Sequence, residues 1–330
     1  MHMADALVSP AVAGVAAVIS IGALAVAGRK VKQQDGSVIP LMGVMGAFVF
    51  AAQMINFSIP GTGSSGHIIG GVLLAAMLGP WAALITLASV LVVQCLVFAD
   101  GGLMALGCNI LNMGICPTLI AYPLIYRPLI GRGKVSFWRV AGVSILACVV
   151  GLELGACLVT GETELSGVTA LGWGQFFALM TGIHLFIGIG EGVATALVIY
   201  YVMQYNPSLL QSCRAGYEAK GERLRINRKV VYILAGAALV LAVAFTWIAS
   251  GDPDGLEWSI QKMTGSTDIV NTSAAATRQV FENVQSGSSF LPDYDSTWSG
   301  IVGCSIVVAI VWVVSSVLMR RRRLATVKKR

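Results

Sequence analysis

Trp81-Ala-Ala-Leu-Ile-Thr-Leu-Ala-Ser-Val-Leu-Val-Val-Gln-Cys-Leu-Val-Phe98 runs for 18 residues without a charge. That length and character suit a hydrocarbon core about 30 Å thick. Lipid offers a backbone no hydrogen-bond partners, so such a run must close its own amide bonds as a helix rather than lie as an open sheet. The pattern repeats in both directions along the chain. Before it come runs from about Ser9 to Ala27, Pro40 to Ile59 and His67 to Leu78, the last stopped by Gly79-Pro80 and too short to cross unless its neighbours bury it. After it come Leu106 to Tyr126, Phe137 to Leu158, Trp173 to Gln204, Val230 to Ala249 and Ile301 to Met319. The expected fold is an all-α polytopic membrane protein of about nine spans: seven in an N-terminal unit and two in a C-terminal unit.

Composition agrees. Of the 330 residues 56% are hydrophobic and only 12% charged, with a mean hydropathy of +0.79. A soluble domain carries about a quarter charged residues, so a soluble enzyme and a disordered chain are both excluded. The formal charge of +6 reads as a topology signal, not as a nucleic-acid footprint. An outside N-terminus places Arg29, Lys30 and Lys32, the group Arg127, Arg132, Lys134 and Arg139, the Arg214–Lys229 cluster and the Arg320–Arg330 tail on one side. Only Lys262 and Arg278 fall on the other, among Asp100, Glu162, Glu164, Asp252, Asp254, Glu257, Asp293 and Asp295. The positive-inside rule then puts the N-terminus outside and the C-terminus in the cytoplasm. The basic tail is expected to anchor against anionic lipid. Seven cysteines, none in a CxxC pair, give no disulfide framework or thiolate site.

The start of the chain does not read as a signal peptide. It lacks a basic n-region, Asp5 precedes the apolar run, and no small-residue cleavage site separates that run from Arg29. His2 is also too large for ordinary removal of the initiator methionine. The Met1 amine is therefore expected at the outer face. There are three histidines, His2, His67 and His184. The amine, the His2 backbone nitrogen and the His2 imidazole can close adjacent five- and six-membered chelate rings, a planar set suited to Ni(II) or Cu(II). His67 is the histidine placed to offer a fourth nitrogen, carried by Pro60-Gly-Thr-Gly-Ser-Ser-Gly66, whose glycines and small Ser64 and Ser65 let a loop fold back. Against this, His2 reads equally as a solvated terminal residue and His67 as a helix-end residue bonded to interfacial water. Glu153 and Glu191 are ionisable groups inside spans, functional candidates by position. His184 and Glu191 lie two helical turns apart on one face, as part of a cavity or gate or as a buried packing contact.

Three stretches carry a resemblance. The opening Met1-His2-Met3-Ala4-Asp5-Ala6-Leu7-Val8-Ser9-Pro10, the segment Pro60–His67 running on to Pro80, and His184-Leu-Phe-Ile-Gly188-Ile-Gly-Glu191-Gly192 resemble CbiM/NikM-type proteins. These are the substrate-binding components of cobalt/nickel energy-coupling factor transporters. Asp252-Pro253-Asp254-Gly255-Leu256-Glu257-Trp258 resembles the PDGLE signature of their small accessory subunit, here fused to the binding component. The resemblance implies a seven-helix unit whose first helix inserts the N-terminus into the substrate cavity, with Ni(II) or Co(II) held by Met1, His2 and His67. Ser64 and Ser65, beside His67, and His184 and Glu191, on one helix face, are the candidates for a surrounding shell or gate. The resemblance also implies a transmembrane coupling protein and two ATPase subunits as partners in the cell (inner) membrane, since no G-x-x-x-x-G-K-[ST] sequence occurs here. The expected division is residues 1–205 for metal binding, 206–229 as a charged cytoplasmic linker and 230–330 as the accessory unit. The metal is cargo, and no cofactor is expected. Two rivals remain at this level: an intramembrane serine protease using Ser65, within Gly63-Ser64-Ser65-Gly66, and His184, and a proton-coupled cation transporter using Glu153 and Glu191.

Overall fold

The computed structural model describes residues 1–31, 38–131, 135–213, 228–244, 247, 249–267, 275–294 and 297–327. A 3-10 turn at Asp5–Leu7 leads into helix α1 (Pro10–Val31), which is followed by α2 (Val38–Gln53). Two short strands, β1 (Phe57–Ile59) and β2 (Ser64–Gly66), form an antiparallel hairpin with Ser58 opposite Ser65. The turn between them needs glycine: Gly61 and Gly63 sit at φ of 78° and 70°, in the left-handed region. The second apolar run is therefore helical only to Gln53, because Phe57–Ile59 pair across the hairpin instead of continuing the helix.

Helix α3 (Gly71–Leu78) is eight residues long and buried throughout. At 1.5 Å per residue it spans about 12 Å, well short of a bilayer by itself. Its start at Gly71 also corrects the expectation of a helix from His67. It leads through Gly79 into α4 (Pro80–Phe98), the quoted run, whose spanning window is 78% buried, against 28% for α1. Helix α4 is thus the axis of the molecule, while α1 shows lipid an apolar face that includes Val15, Val18 and Ile21. Helix α5 (Leu106–Ile130) widens to i→i+5 bonding over Ile110–Tyr126, where Pro117 and Pro123 lack the N–H that a regular ladder requires. Helices α6 (Phe137–Ser166) and α7 (Trp173–Tyr205) pack on each other as a long pair.

Among the described residues six helices are long and apolar enough to cross a membrane: α1, α4, α5, α6, α7 and the last helix, through its stretch Trp298–Val317. The chain is thus a predominantly helical, polytopic membrane protein. In the C-terminal part, α8 (Arg228–Ala244) and α11 (Thr297–Val327) pack on each other and on α2. Between them lie two amphipathic helices, α9 (Gly255–Thr264) and α10 (Ala275–Ser288). Helix α9 packs on α7 and β2, and α10 on α4, so the C-terminal part covers the hairpin end of the bundle. Most of the expected basic linker, residues 214–227, lies outside the described residues.

Candidate metal centre

The extended residues ahead of the 3-10 turn carry Met1 and His2 into the bundle. Asn109 of α5 fixes that segment: its carbonyl accepts the Met3 N–H at 2.7 Å, and its amide donates to the Met3 carbonyl at 3.1 Å. The Gly102 N–H donates to the same carbonyl at 2.9 Å. Gly102 admits no side chain, because a Cβ there would run into the Asp5 carboxylate. The Met1 side chain is 4% exposed and seats its methyl against Gly155 of α6.

So anchored, the Met1 amine stands 3.3 Å from His67 Nε2. Two nitrogens in cis positions at about 2.0 Å from a metal stand about 2.8 Å apart, so the pair closes on one ion with a shift of tenths of an ångström. The His2 ring stacks on that of His67, with centroids 5.1 Å apart and planes inclined by 24°. His2 Nδ1 lies 3.2 Å from Asp100 Oδ1, and Nε2 lies 3.1 Å from Gln94 Oε1. Gln94 donates to Gln53 at 2.7 Å, and Gln53 donates to the Ile69 carbonyl at 2.7 Å. The fully buried Glu191 of α7 accepts the N–H groups of Ile69 and Gly70 at 2.9 and 3.0 Å. One polar network therefore ties His2 to the backbone just beyond His67. Among the described residues no three His, Cys, Asp or Glu side chains group to hold a metal ion, so a nitrogen set here depends on the terminal amine.

The C-terminal part reaches this point through Asp254. Its Oδ2 accepts from the Met1 ammonium at 2.5 Å, while Oδ1 caps α9 by accepting from Leu256 and Glu257. Glu257 closes a capping box by accepting the Asp254 N–H at 3.1 Å. Burial alone would raise the Asp254 pKa, but the ammonium and His67 beside it hold its carboxyl well below the usual range. His67 is held well below an ordinary imidazole, by burial first and then by the ammonium and His2. The Ser65 N–H donates to the Pro253 carbonyl and its hydroxyl to the Asp252 carbonyl, both at 2.8 Å. The Trp258 indole N–H donates to the Thr62 carbonyl at 2.9 Å. The Asp252–Trp258 segment thus lies along the edge of the glycine-rich hairpin.

The structure brings Met1, His2 and His67 together and places Ser64 and Ser65 in the hairpin that carries His67. His184 lies behind them with Met1, His67 and Asp254 around a small cavity. Its Nδ1 is 2.7 Å from the Met180 carbonyl, and its Nε2 has no partner among the described residues. Ser65 and His184 make no nucleophile–base pair, since Ser65 bonds the Asp252 backbone and His184 the Met180 carbonyl. Glu153 lines neither this cavity nor the larger one beside it. Sequence reasoning missed Gln53, Gln94 and Asn109, whose signal was polarity inside apolar runs. It also read Asp100 only as outer-loop charge, and Asp254 as outer-loop charge and part of the PDGLE resemblance, without its contact to Met1.

Residues 2–209 match the family described as cobalt uptake substrate-specific transmembrane region, CbiM, and residues 228–320 match the PDGLE domain. The chain belongs to the CbiM family. It is a multi-pass membrane transport protein and not an enzyme. This CbiM-family chain is 34% identical over 218 residues to a candidate fused nickel transport protein, NikMN, of Archaeoglobus fulgidus, covering 64% of this chain and 68% of that one. It is 30% identical over 276 residues to the fused nickel transport protein NikMN of Rhodobacter capsulatus, covering 80% and 77%. Its fold is similar to the crystal structure of a truncated transition metal transporter, at 35% identity and a TM-score of 0.53, covering 62% of this chain and 99% of that chain.

Proposed function

We propose that the chain captures Ni(II) or Co(II) from outside the cell and carries it into the membrane as the substrate-specific component of an ATP-driven energy-coupling factor transporter. The donors are the Met1 amine, the backbone nitrogen and imidazole of His2, and the imidazole of His67. The observation that carries this reading is the 3.3 Å approach of the Met1 amine to His67 Nε2, with the His2 ring stacked alongside. Four nitrogens in a plane favour Ni(II), and the same donors accept Co(II). His184, Ser64, Ser65 and Glu191 surround the donors without joining them. Residues 1–205 bind the metal, 206–229 form the linker and 230–330 are the accessory unit. Energy comes from two ATPase subunits acting through a transmembrane coupling protein, in the cell membrane, with the N-terminus outside and the C-terminus in the cytoplasm. The metal is cargo, and the chain uses no cofactor and no nucleic acid.

Chelation through a terminal amine makes a sharp demand. Calorimetry with Ni(II) and Co(II) on the chain beginning at Met1, tagged at its C-terminus, is compared with the chain carrying one extra residue before Met1. Tight binding confined to the first supports the site. Equal affinity in both would sink it and move the donors to His67, His184 and the intramembrane carboxylates.

A further inference from the structure

In a square-based metal site four positions stand cis to each in-plane donor: two in the plane and two apical. With the nitrogens arranged as proposed above, the in-plane neighbours of the Met1 amine are the His2 backbone nitrogen, joined to it in a chelate ring, and His67 Nε2, 3.3 Å away. A further donor beside the amine can therefore only be apical. The structure puts one there. Asp254 Oδ2 is 2.5 Å from the Met1 nitrogen, and Asp254 shares the small cavity with Met1 and His67. An oxygen and a nitrogen cis to each other, at about 2.1 and 2.0 Å from a metal, stand about 2.9 Å apart, so the carboxylate is spaced from the amine within tenths of an ångström of an apical ligand. The larger cavity, of about 530 Å³, is lined by His2, His67 and Asp254 together, so an ion entering it meets the carboxylate along with the imidazoles.

Asp254 keeps this place without help from the ammonium. Its Oδ1 is committed to the Leu256 and Glu257 amides at 2.8 and 2.9 Å, which fixes the plane of the carboxylate. Ser65 holds the Asp252 and Pro253 carbonyls just before it, and the Ser58 hydroxyl donates to the Asp252 side chain at 3.2 Å. Charge balance also favours its staying. In the metal-free site the ammonium and the carboxylate cancel. Metal binding releases one proton from the ammonium and one from the His2 N–H to the medium, which leaves a dication beside an amide anion and a net charge of one. The Asp254 carboxylate cancels that charge too, and buried charges are stable only when paired. Asp100 stands at the His2 ring instead, where it accepts from the Tyr294 hydroxyl at 2.8 Å.

We propose that Asp254 is a metal-selecting donor: on Co(II) its Oδ2 moves from the amine to the ion as an apical fifth ligand, whereas on Ni(II) it stays bonded to an amine N–H. The proposal rests on the four-nitrogen reading above and gives the C-terminal part a role in it, as the source of an oxygen that the CbiM-like part lacks at this position. The coordinated amine keeps two N–H bonds, so the carboxylate has a partner in either state. Ni(II) among four nitrogens, one of them an anionic amide, is satisfied within the plane, while Co(II) in the same plane takes a further oxygen. Selectivity among such ions is set by geometry and ligand type. Asp254 therefore offsets the preference of the nitrogen plane for Ni(II).

The test is calorimetry with Co(II) and with Ni(II) on the whole chain in detergent, for wild type, Asp254→Asn and Asp254→Ser. Both replacements retain an oxygen able to cap α9, and serine is too short to reach the ion. The expected result is a Co(II) affinity that falls at least about tenfold relative to the Ni(II) affinity in each variant. A carboxylate that only seats α9 moves the two affinities together, so an unchanged ratio overturns the proposal while leaving the four-nitrogen site in place. A second measurement needs no variant. Infrared difference spectra of wild type with isotope-labelled aspartate, Co(II)-loaded minus Ni(II)-loaded, are expected to show a carboxylate stretch shifted by metal coordination; changes common to both metals, such as release of Asp100 by His2, cancel. A difference spectrum without that band overturns the apical ligand even where the variants fold poorly. Failure of wild type to bind either metal tightly overturns the metal-capture reading, and the apical donor with it.

Discussion

The Asp254 carboxylate, more than 250 positions along the chain from Met1, accepts a hydrogen bond from the Met1 ammonium at 2.5 Å. Asp254 belongs to the matched PDGLE region and Met1 immediately precedes the matched CbiM region, so the point where the two parts touch is also the point where the candidate nitrogen donors converge. Asp254 has two duties at once, capping α9 through one oxygen and pairing with the amine through the other. A dication taken up by the amine must replace Asp254 as its partner.

Substitution of Asp254 should separate those duties. Asp254→Asn keeps a capping oxygen and loses the ion pair, whereas Asp254→Ala loses both. The cap is worth about 1 kcal/mol and breaking a buried ion pair about 3 kcal/mol. Hydrogen exchange of the α9 amides checks this: protection should fall strongly in the asparagine variant and by a further factor of about five in the alanine variant. Equal protection in all three proteins would mean that α9 docks without the amine.

Glu191 should act on metal affinity without touching metal. Its two oxygens hold the Ile69 and Gly70 amides, and through them the segment between β2 and α3 that carries His67. Groups that orient a metal ligand are worth about 10–100-fold in affinity. Glu191→Ala is expected to weaken Ni(II) binding within that range, and Glu191→Gln, which keeps one good acceptor, by less. Calorimetry with the two variants checks the order.

Gly255 leaves little room for a side chain. A Cβ there would lie 3.0 Å from His184 Cε1 and from Ile187 Cδ1, and 3.1 Å from Ile183 Cγ2. Overpacking of this kind costs about 1–3 kcal/mol. Gly255→Ala should lift α9 from α7 and lower the melting temperature. Gly287→Ala, on α10 with open space around it, should leave that temperature unchanged or raise it.

The pH dependence of stability has a definite sign at His67. Its folded-state pKa lies well below the ordinary value near 6.5, so the folded protein prefers the neutral ring. Above about pH 6.5 neither state protonates it and its contribution is fully present. As pH falls below that value the unfolded chain takes up a proton that the folded chain refuses, and stability declines. Thermal melts of wild type and His67→Asn between pH 7.5 and 5 should diverge only below about 6.5, the wild type falling more steeply. Parallel curves would mean that His67 titrates normally in the fold.

The membrane fold was legible because long uncharged runs admit one solution in lipid, and α4 stands where its sequence placed it. The hairpin was not legible. Phe57–Ile59 is apolar enough to extend a helix, and its pairing partner Ser64–Gly66 has no strand signal of its own. Met1 and His2 could be paired from sequence because terminal chelation needs an amine beside a histidine, a pattern local in the chain, whereas His67 was added because the chain has so few histidines and because the family resemblance implies it. Gln94, Gln53, Asn109 and Asp254 could not, since their roles depend on contacts across tens to hundreds of residues. The segment Ser273–Phe290 reads as polar and without chemistry, yet its helix supplies Glu282 and Gln285 to the cavity wall.

The bonds from Ser65 to the Asp252 and Pro253 carbonyls join surfaces carried on one polypeptide. Tethered surfaces meet at an effective concentration set by their connection, whatever the abundance of the protein in the cell. An intrinsically weak contact, too feeble to hold two independent molecules, then suffices to keep the Asp252–Trp258 segment seated, and it can release and reseat without its partner diffusing away. Severing the chain within residues 214–227 would turn that constant occupancy into one governed by expression level and dilution.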